Sequence, residues 1–182
     1  MNEQLKKEFT KFLKPRGMVG LILIGVFMIL FALVTVAVEI PILMMLFFLA
    51  VGVVLLYLGL HTLLQYPVYI RSLEESGYMM QILQDYAQAN SVMHNQLRFG
   101  NYHLYAKGQG KLLTYTEIVR VYQHIHKTNF VEDRRELRFL DRDGKEGTLC
   151  GLQLKGRSDA DLRQVVGMLL QRNPSLQVGY HK

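Results

Sequence analysis

Between Gly17 and Leu60 the chain runs for 44 residues with a single formal charge, the carboxylate of Glu39. A bilayer core about 30 Å thick is crossed by roughly 20 apolar residues rising about 1.5 Å each. One helix of 44 residues would overshoot that thickness about twofold, more than tilt absorbs. The run divides instead at Glu39-Ile40-Pro41, with 22 residues before Glu39 and 21 from Ile40 to Leu60. A carboxylate costs on the order of 3 kcal/mol at the bilayer centre and little at its surface. Proline fits the first turn of a new helix, where its missing N–H is not needed. The sequence therefore predicts a transmembrane hairpin over residues 17–66, with spans at about 18–38 and 41–62 and a tight turn at the far surface. A cleaved leader is not expected. Thr35-Val36-Ala37 loosely resembles a cleavage site, but the run exceeds the roughly 7–15 apolar residues of a leader and a second run follows at once.

Charge divides the chain the same way. Residues 1–16 carry a net +3, residues 17–70 a net −1 and residues 71–182 a net +4, within an overall +6. Lys6, Lys7, Lys11, Lys14 and Arg16 precede the first span, Arg71 and a basic segment follow the second, and the turn between them has no basic residue. Basic residues near span ends stay cytoplasmic. The expected location is the cell membrane, multi-pass, with a basic cytoplasmic N-terminus (1–16) and a cytoplasmic C-terminal domain. The two spans also carry small residues at seven-residue spacing: Gly25 and Ala32 on the first, Gly52 and Gly59 on the second. A hairpin folded about residue 40 sets Gly25 level with Leu55, Ala32 with Phe48, Gly52 with Met28 and Gly59 with Leu21. Small against large lets two membrane helices approach closely. Glycine and alanine are also simply common in such helices, so the spacing leaves both readings open.

The remaining 112 residues, 71–182, are enough for one small core. Pro67 is expected to loosen any helix continuing from the second span. A connecting helix is predicted within 71–95, with Ser72 and Glu75 as a capping box and Met79, Ile82, Leu83 and Tyr86 on one face. Gly77 offers a later start. From Gln96 short strands alternate with turns: LRF, YHLYA, KLLTY, IVRVYQHI, ELRFL and TLCGLQL, punctuated by Gly100-Asn101, Gly108-Gln109-Gly110 and Asp141–Gly144. SDADLRQVVGMLLQR then reads as an amphipathic helix, with Ser158 as cap, Leu162, Val165, Val166, Leu169 and Leu170 as its stripe, and Asn173-Pro174 as its stop. SLQVGY offers a further edge strand. Strands with a helix packed over them make residues 96–182 an α+β domain.

KLLTYTEIVRVYQ, followed by a charged hairpin and a terminal helix, resembles bacterial membrane proteins with two spans and a small pleckstrin-homology-like cytoplasmic domain. The resemblance covers roughly residues 97–172 together with the layout of the hairpin, and its motif is a strand–turn–strand rhythm. SLQVGY after the helix has no counterpart in that pattern. The resemblance implies a tethered binding or scaffolding domain and supplies no catalytic residues.

Motifs of reaction chemistry are sparse. GQGK at Gly108–Lys111 is too short for a phosphate loop and leads into a strand instead of a helix. DRDG does not open a calcium loop, because Phe139 and Cys150 would fall where such a loop needs carboxylates. Cys150 is the sole cysteine, which excludes an intrachain disulfide and reads as a small buried hydrophobe. His124 and His126 project from one side of a strand, but with no evident third ligand they read as a solvated pair; no metal or other cofactor is expected. The strongest remaining signal is a basic face. In IVRVYQHI, Val119, Val121 and Ile125 suit the core and leave Arg120, Tyr122, His124 and His126 outside. In RRELRFL, Leu137 and Phe139 point inward, leaving Arg134, Glu136 and Arg138 outside. Such a face suits anionic lipid headgroups or an acidic membrane-protein partner, and equally an ordinary solvated sheet offset by Glu132, Asp133 and Glu136. Nucleic acid is not expected, since the charge is modest and no such motif occurs.

The function expected is non-catalytic: a membrane-anchored binding or scaffolding domain, its effective concentration raised by confinement to the surface. The rival is an accessory subunit that meets a larger complex through its hairpin. A homo-oligomer is left open. An enzyme would need a site combining His103, His124 or Cys150.

Overall fold

The structure is a computed structural model that describes residues 3–15, 17–37, 41–128, 131–152 and 158–179. In chain order its elements are α1 (Glu3–Leu13), α2 (Met18–Ala37), α3 (Ile42–Glu75), α4 (Met79–Gln88), β1 (Asn90–Val92), β2 (Leu97–Phe99), β3 (His103–Ala106), β4 (Leu113–Thr114), β5 (Ile118–Thr128), β6 (Val131–Asp141), β7 (Glu146–Leu152), α5 (Ser158–Arg172) and β8 (Gln177–Val178). They form two compact units: Pro15–Glu75, and Met1–Lys14 together with Ser76–Lys182. Glu39 and Ile40 of the expected turn, Arg16, the end of TLCGLQL and the side chain of Ser158 lie outside what is described.

The first unit is the pair α2 and α3. A Cβ on Gly25 would stand 2.8 Å from the Leu56 amide nitrogen and 2.9 Å from the Gly52 carbonyl oxygen. One on Gly52 would stand 2.8 Å from Ile29 Cγ1, and one on Gly59 2.7 Å from Ile22 Cγ1. Real Cβ atoms do not tolerate such distances, so these three glycines are where the backbones meet, and Ala32 is buried as well. The pairing lies one residue away from a fold about residue 40: Gly25 sits at Leu56, Gly52 at Ile29 and Gly59 at Ile22. Packed helices interdigitate, so a small residue faces the gap between two partners and a count from the turn fixes register only to within a residue. α3 continues through Pro67 to Glu75, about 51 Å at 1.5 Å per residue, and Ser72 lies inside it donating to the Tyr69 carbonyl instead of capping a new helix. The expected connecting helix is therefore two pieces, broken at Ser76–Tyr78, and only α4 belongs to the domain. Among the described residues, α3 is the one helix that by itself is long and apolar enough to cross a membrane. Exposed apolar side chains crowd the outer surfaces of both helices, from Val19 and Leu23 to Leu64 and Val68.

The second unit is α+β. β1–β4 form an antiparallel meander, and β7, β6, β5 and β8 form a second sheet in that order, β8 lying parallel to β5. SLQVGY thus does add an edge strand, its Gly179 N–H donating to the Val121 carbonyl. Leu97, Leu104 and Leu113 of the first sheet, Val121, Leu137 and Phe139 of the second, and Val165 and Leu169 of α5 share one core. The free edge of β7 is tied down by two glutamines: Gln109 Nε2 donates to the Thr148 carbonyl, and Gln96 Oε1 accepts from the Gly151 N–H at 3.0 Å. A bulge after Ile118 resets the phase of β5, so Ile118 and Val121 both enter the core while Val119 and Ile125 are only half-buried. Asn173 ends α5 by donating to the Tyr115 and Ile118 carbonyls and accepting from Ser175.

α1 is the element that charge alone misplaces. Instead of a loose basic head it is part of the domain, with Phe9, Phe12 and Leu13 buried. Phe9 meets Tyr86 and Tyr105 edge-on at 5.4 and 6.2 Å, and Phe12 meets Tyr86 at 5.7 Å. The GQG turn completes the fit. Gly108 and Gly110 have φ of 83° and 76°, a region open to glycine, and this aims their N–H groups at the last carbonyls of α1: Gly108 to Phe12 at 2.9 Å and Gly110 to Leu13 at 2.7 Å. A loop with the look of a phosphate cradle caps a helix C-terminus.

Candidate functional site

The outer face of β5–β6 gathers most of the basic residues singled out in the sequence, and it is organised by one carboxylate. Register sets Tyr122 opposite Arg138, His124 opposite Glu136 and His126 opposite Arg134. Glu136 is buried although its strand position points outward, because its neighbours close over it. Its oxygens accept from Arg138 Nε at 3.1 Å and Thr148 Oγ1 at 3.3 Å and form an ion pair with Arg134 Nη2 at 2.6 Å. His126 Nε2 stands 3.4 Å away, close enough for an ion pair when protonated, yet out of line for a hydrogen bond. Burial pushes the Glu136 carboxyl up, but the hydrogen bond from Arg138, the close approach of the His126 ring and the charges of both arginines overcome it and hold it below 4.5. His124 packs edge-on against His126 at 4.4 Å, and burial with the nearby Arg138 charge pushes its pKa down.

The remaining members of the face are also engaged. Tyr122 is buried, where desolvation and a hydrogen bond with Glu146 raise its pKa. Arg120 is drawn to the edge strand, its Nη2 and Nε donating to Gln177 Oε1 at 2.6 and 3.1 Å. Arg135 pairs with Glu132. Of the two readings the sequence left open, a basic binding face and a sheet offset by its acids, the structure adds this: Arg134 and Arg138 converge on Glu136, so the buried carboxylate has its counter-charges while the group keeps a net positive charge. Sequence reading placed Glu136 among three offsetting acids, and pairwise register is what makes it the centre.

Replacing Glu136 with glutamine keeps the shape and removes the charge. The expected result is a loss of about 2 kcal/mol at pH 7, the scale of a charged hydrogen bond left without its partner. The loss depends on pH. Because the folded carboxyl sits below its ordinary 4.5, its contribution is whole above that value and fades as pH falls through the folded pKa. Chemical denaturation of both proteins from pH 7 to 3 should show two curves that converge in acid.

A second carboxylate, to which sequence reading assigns no role, sits against the first sheet. Asp85 of α4 turns its side chain into the β2–β3 loop and accepts from the N–H groups of Asn101, Tyr102 and His103 at 2.6, 3.3 and 3.2 Å. Tyr105 Oη adds a bond at 2.9 Å and His103 Nδ1 one at 3.3 Å. Gly100 is required there, since a Cβ would collide with the Asp85 carboxylate. The available signal was an acid within the apolar stripe Met79, Ile82, Leu83, Tyr86.

The residues an enzyme would need stand apart. His103 belongs to the Asp85 cluster, His124 to the outer face of β5, and Cys150 to the core, where burial pushes its thiol up to about 12. No group of three or more potential metal ligands occurs among the described residues. Asp141 folds the DRDG turn by accepting from the N–H groups of Asp143 and Lys145 at 3.1 and 2.7 Å. No family model, curated protein or solved structure matches this chain.

Proposed function

We propose that the chain is a two-span membrane protein whose hairpin tethers a non-catalytic binding domain to the cytoplasmic face, where it presents the β5–β6 surface to a protein partner. The observation that carries the reading is the burial of α1 in the domain formed by residues 76–179. Residues on both sides of the apolar segment fold together, so that segment must leave and re-enter the same compartment, and any crossings are even in number. The apolar outer surfaces of α2 and α3 suit lipid, and glycine-to-backbone contacts are how helices associate where lipid removes the hydrophobic drive. Lysines ahead of α2 favour the cytoplasmic side. The domain reading is supported by two successive meanders followed by a helix, as the pleckstrin-homology pattern has it, with β8 as a departure. The Glu136 carboxylate set between Arg134 and Arg138 makes the face mixed in sign, which favours a patterned protein surface over a bare anionic one as its ligand.

Cysteine substitutions at Glu3 and at Tyr102, which is 74% exposed, test the arrangement in intact cells. Both should resist a membrane-impermeant maleimide until the cells are lysed. Reaction at one position only, or recovery of the unaltered chain in the supernatant without detergent, would overturn it. A photocrosslinker at His124 should then join the chain to one partner in the native membrane.

A further inference from the structure

We infer that the solvent face of α1 is an anionic-lipid contact, a stripe of Lys7, Lys11 and Lys14 that lies on the headgroups of the leaflet facing the domain. The inference rests on the membrane reading of the hairpin. At about 100° per residue, Phe9, Phe12 and Leu13 define one face of α1 and Lys7 and Lys11 fall on the opposite one; Lys14, one residue past the helix with its N–H still donating to the Thr10 carbonyl at 3.0 Å, continues that side. That rotation is fixed from inside the domain. Besides the aromatic packing, Glu8 pairs with Arg98 at 3.0 Å, and the Arg98 guanidinium lies 4.4 Å from the Tyr86 ring centroid. All three lysines are exposed, and among the described residues none is ion-paired.

Position makes lipid the occupant. Only Pro15, Arg16 and Gly17 separate Lys14 from Met18, where α2 begins, so at 3.8 Å per residue Lys14 stays within about 15 Å of the apolar helix. A juxtamembrane lysine feels an anionic leaflet within about a Debye length of 8–10 Å. The charge is also graded along the helix: Glu3 stands at the far end, and the lysines approach the end that leads to α2. The apolar face of α1 is occupied by the domain, so the helix cannot lie in the interface in the usual amphipathic manner, and its charged face is what remains for the membrane. Arg134 and Arg138 of β5–β6 share the Glu136 carboxylate, whereas these lysines have no ion-pair partner among the described residues.

The test uses the full chain in nanodiscs of phosphatidylcholine with a minor share of spin-labelled phosphatidylglycerol or spin-labelled phosphatidylcholine. The expected preference for the anionic probe is at least about fivefold, the worth of one lysine near such a surface. It should fall towards unity in K7Q/K11Q/K14Q and in 1 M salt, and survive in K7R/K11R/K14R. Lysines near a helix C-terminus also favour the helix, so thermal midpoints are followed in parallel to show that the domain is intact. An unchanged preference in the triple glutamine variant overturns the inference, as does its loss in R134Q/R138Q alone. A chain that never enters the disc overturns the hairpin reading instead.

Discussion

Replacing Asp85 with alanine should lower the unfolding free energy of the domain by about 3–5 kcal/mol, the range for removing one partner of a buried charged network. The carboxylate is 2% exposed and holds the tip of the β2–β3 hairpin through three backbone N–H groups, with Tyr105 beneath it. Removing it takes the acceptor from those donors at once, and the Tyr105 hydroxyl beneath loses its carboxylate partner as well. Tyr105 retains one bond, to the Ile82 carbonyl at 3.1 Å, which limits the damage on its side. Asparagine should recover part of the loss, since one oxygen can still accept two N–H groups. Acid provides a separate check. Burial raises the Asp85 pKa, but the Tyr105 hydroxyl and the loop N–H groups outweigh it and leave it below 3.8. Its contribution is complete above that value and disappears as pH falls through the folded pKa, so D85A should have a flatter acid limb in denaturant titrations.

The contrast between the two carboxylates shows what periodicity carries and what it does not. Alternation locates LRF, HLYA and the paired strands β5 and β6, because a residue's side of a strand is decided by parity. The stripe of α5 is equally visible, and Val165 and Leu169 reach the core as it implies. The bulge after Ile118 breaks parity within β5, and no local signal marks it. Pro67 is expected to loosen the helix, but its cost of about 3 kcal/mol is local, and the eight residues that follow it in α3 continue the helical hydrogen bonding. Asp85 and Glu136 are illegible for another reason. Their roles depend on which backbone or side chain a tertiary contact delivers, and that is information held by pairs of distant residues. α1 was the legible element passed over: Phe9, Phe12 and Leu13 have helical spacing, hidden behind five basic residues in a row of sixteen.

Phe9→Ala should separate α1 from the domain. Phe9 is fully buried, and its removal is expected to cost about 3–5 kcal/mol, near the whole stability of many small domains. The loss should not be spread evenly. An 11-residue helix is too short to persist alone in water, so once its aromatic anchor is gone α1 should unfold as a unit. Hydrogen exchange would then rise throughout Glu3–Leu13 and at the amides of Gly108 and Gly110, whose acceptors are α1 carbonyls, while Val121 and Phe139 remain protected. Tyr86 reports the same event optically. Burial raises its pKa to about 12; Arg98 opposes that rise and Glu8 adds to it. Since the folded pKa lies above the ordinary 10, the docked state is favoured below pH 10 and is undermined as pH climbs through the folded value. In F9A the phenolate should therefore form nearer pH 10. A variant that keeps the high phenol pKa and the slow amides at Gly108 and Gly110 would mean that α1 is held by the glycine cap and the Glu8–Arg98 pair, with the aromatic cluster secondary. Loss of both signals together would make the ring the clasp that holds the two flanks of the apolar segment in one domain.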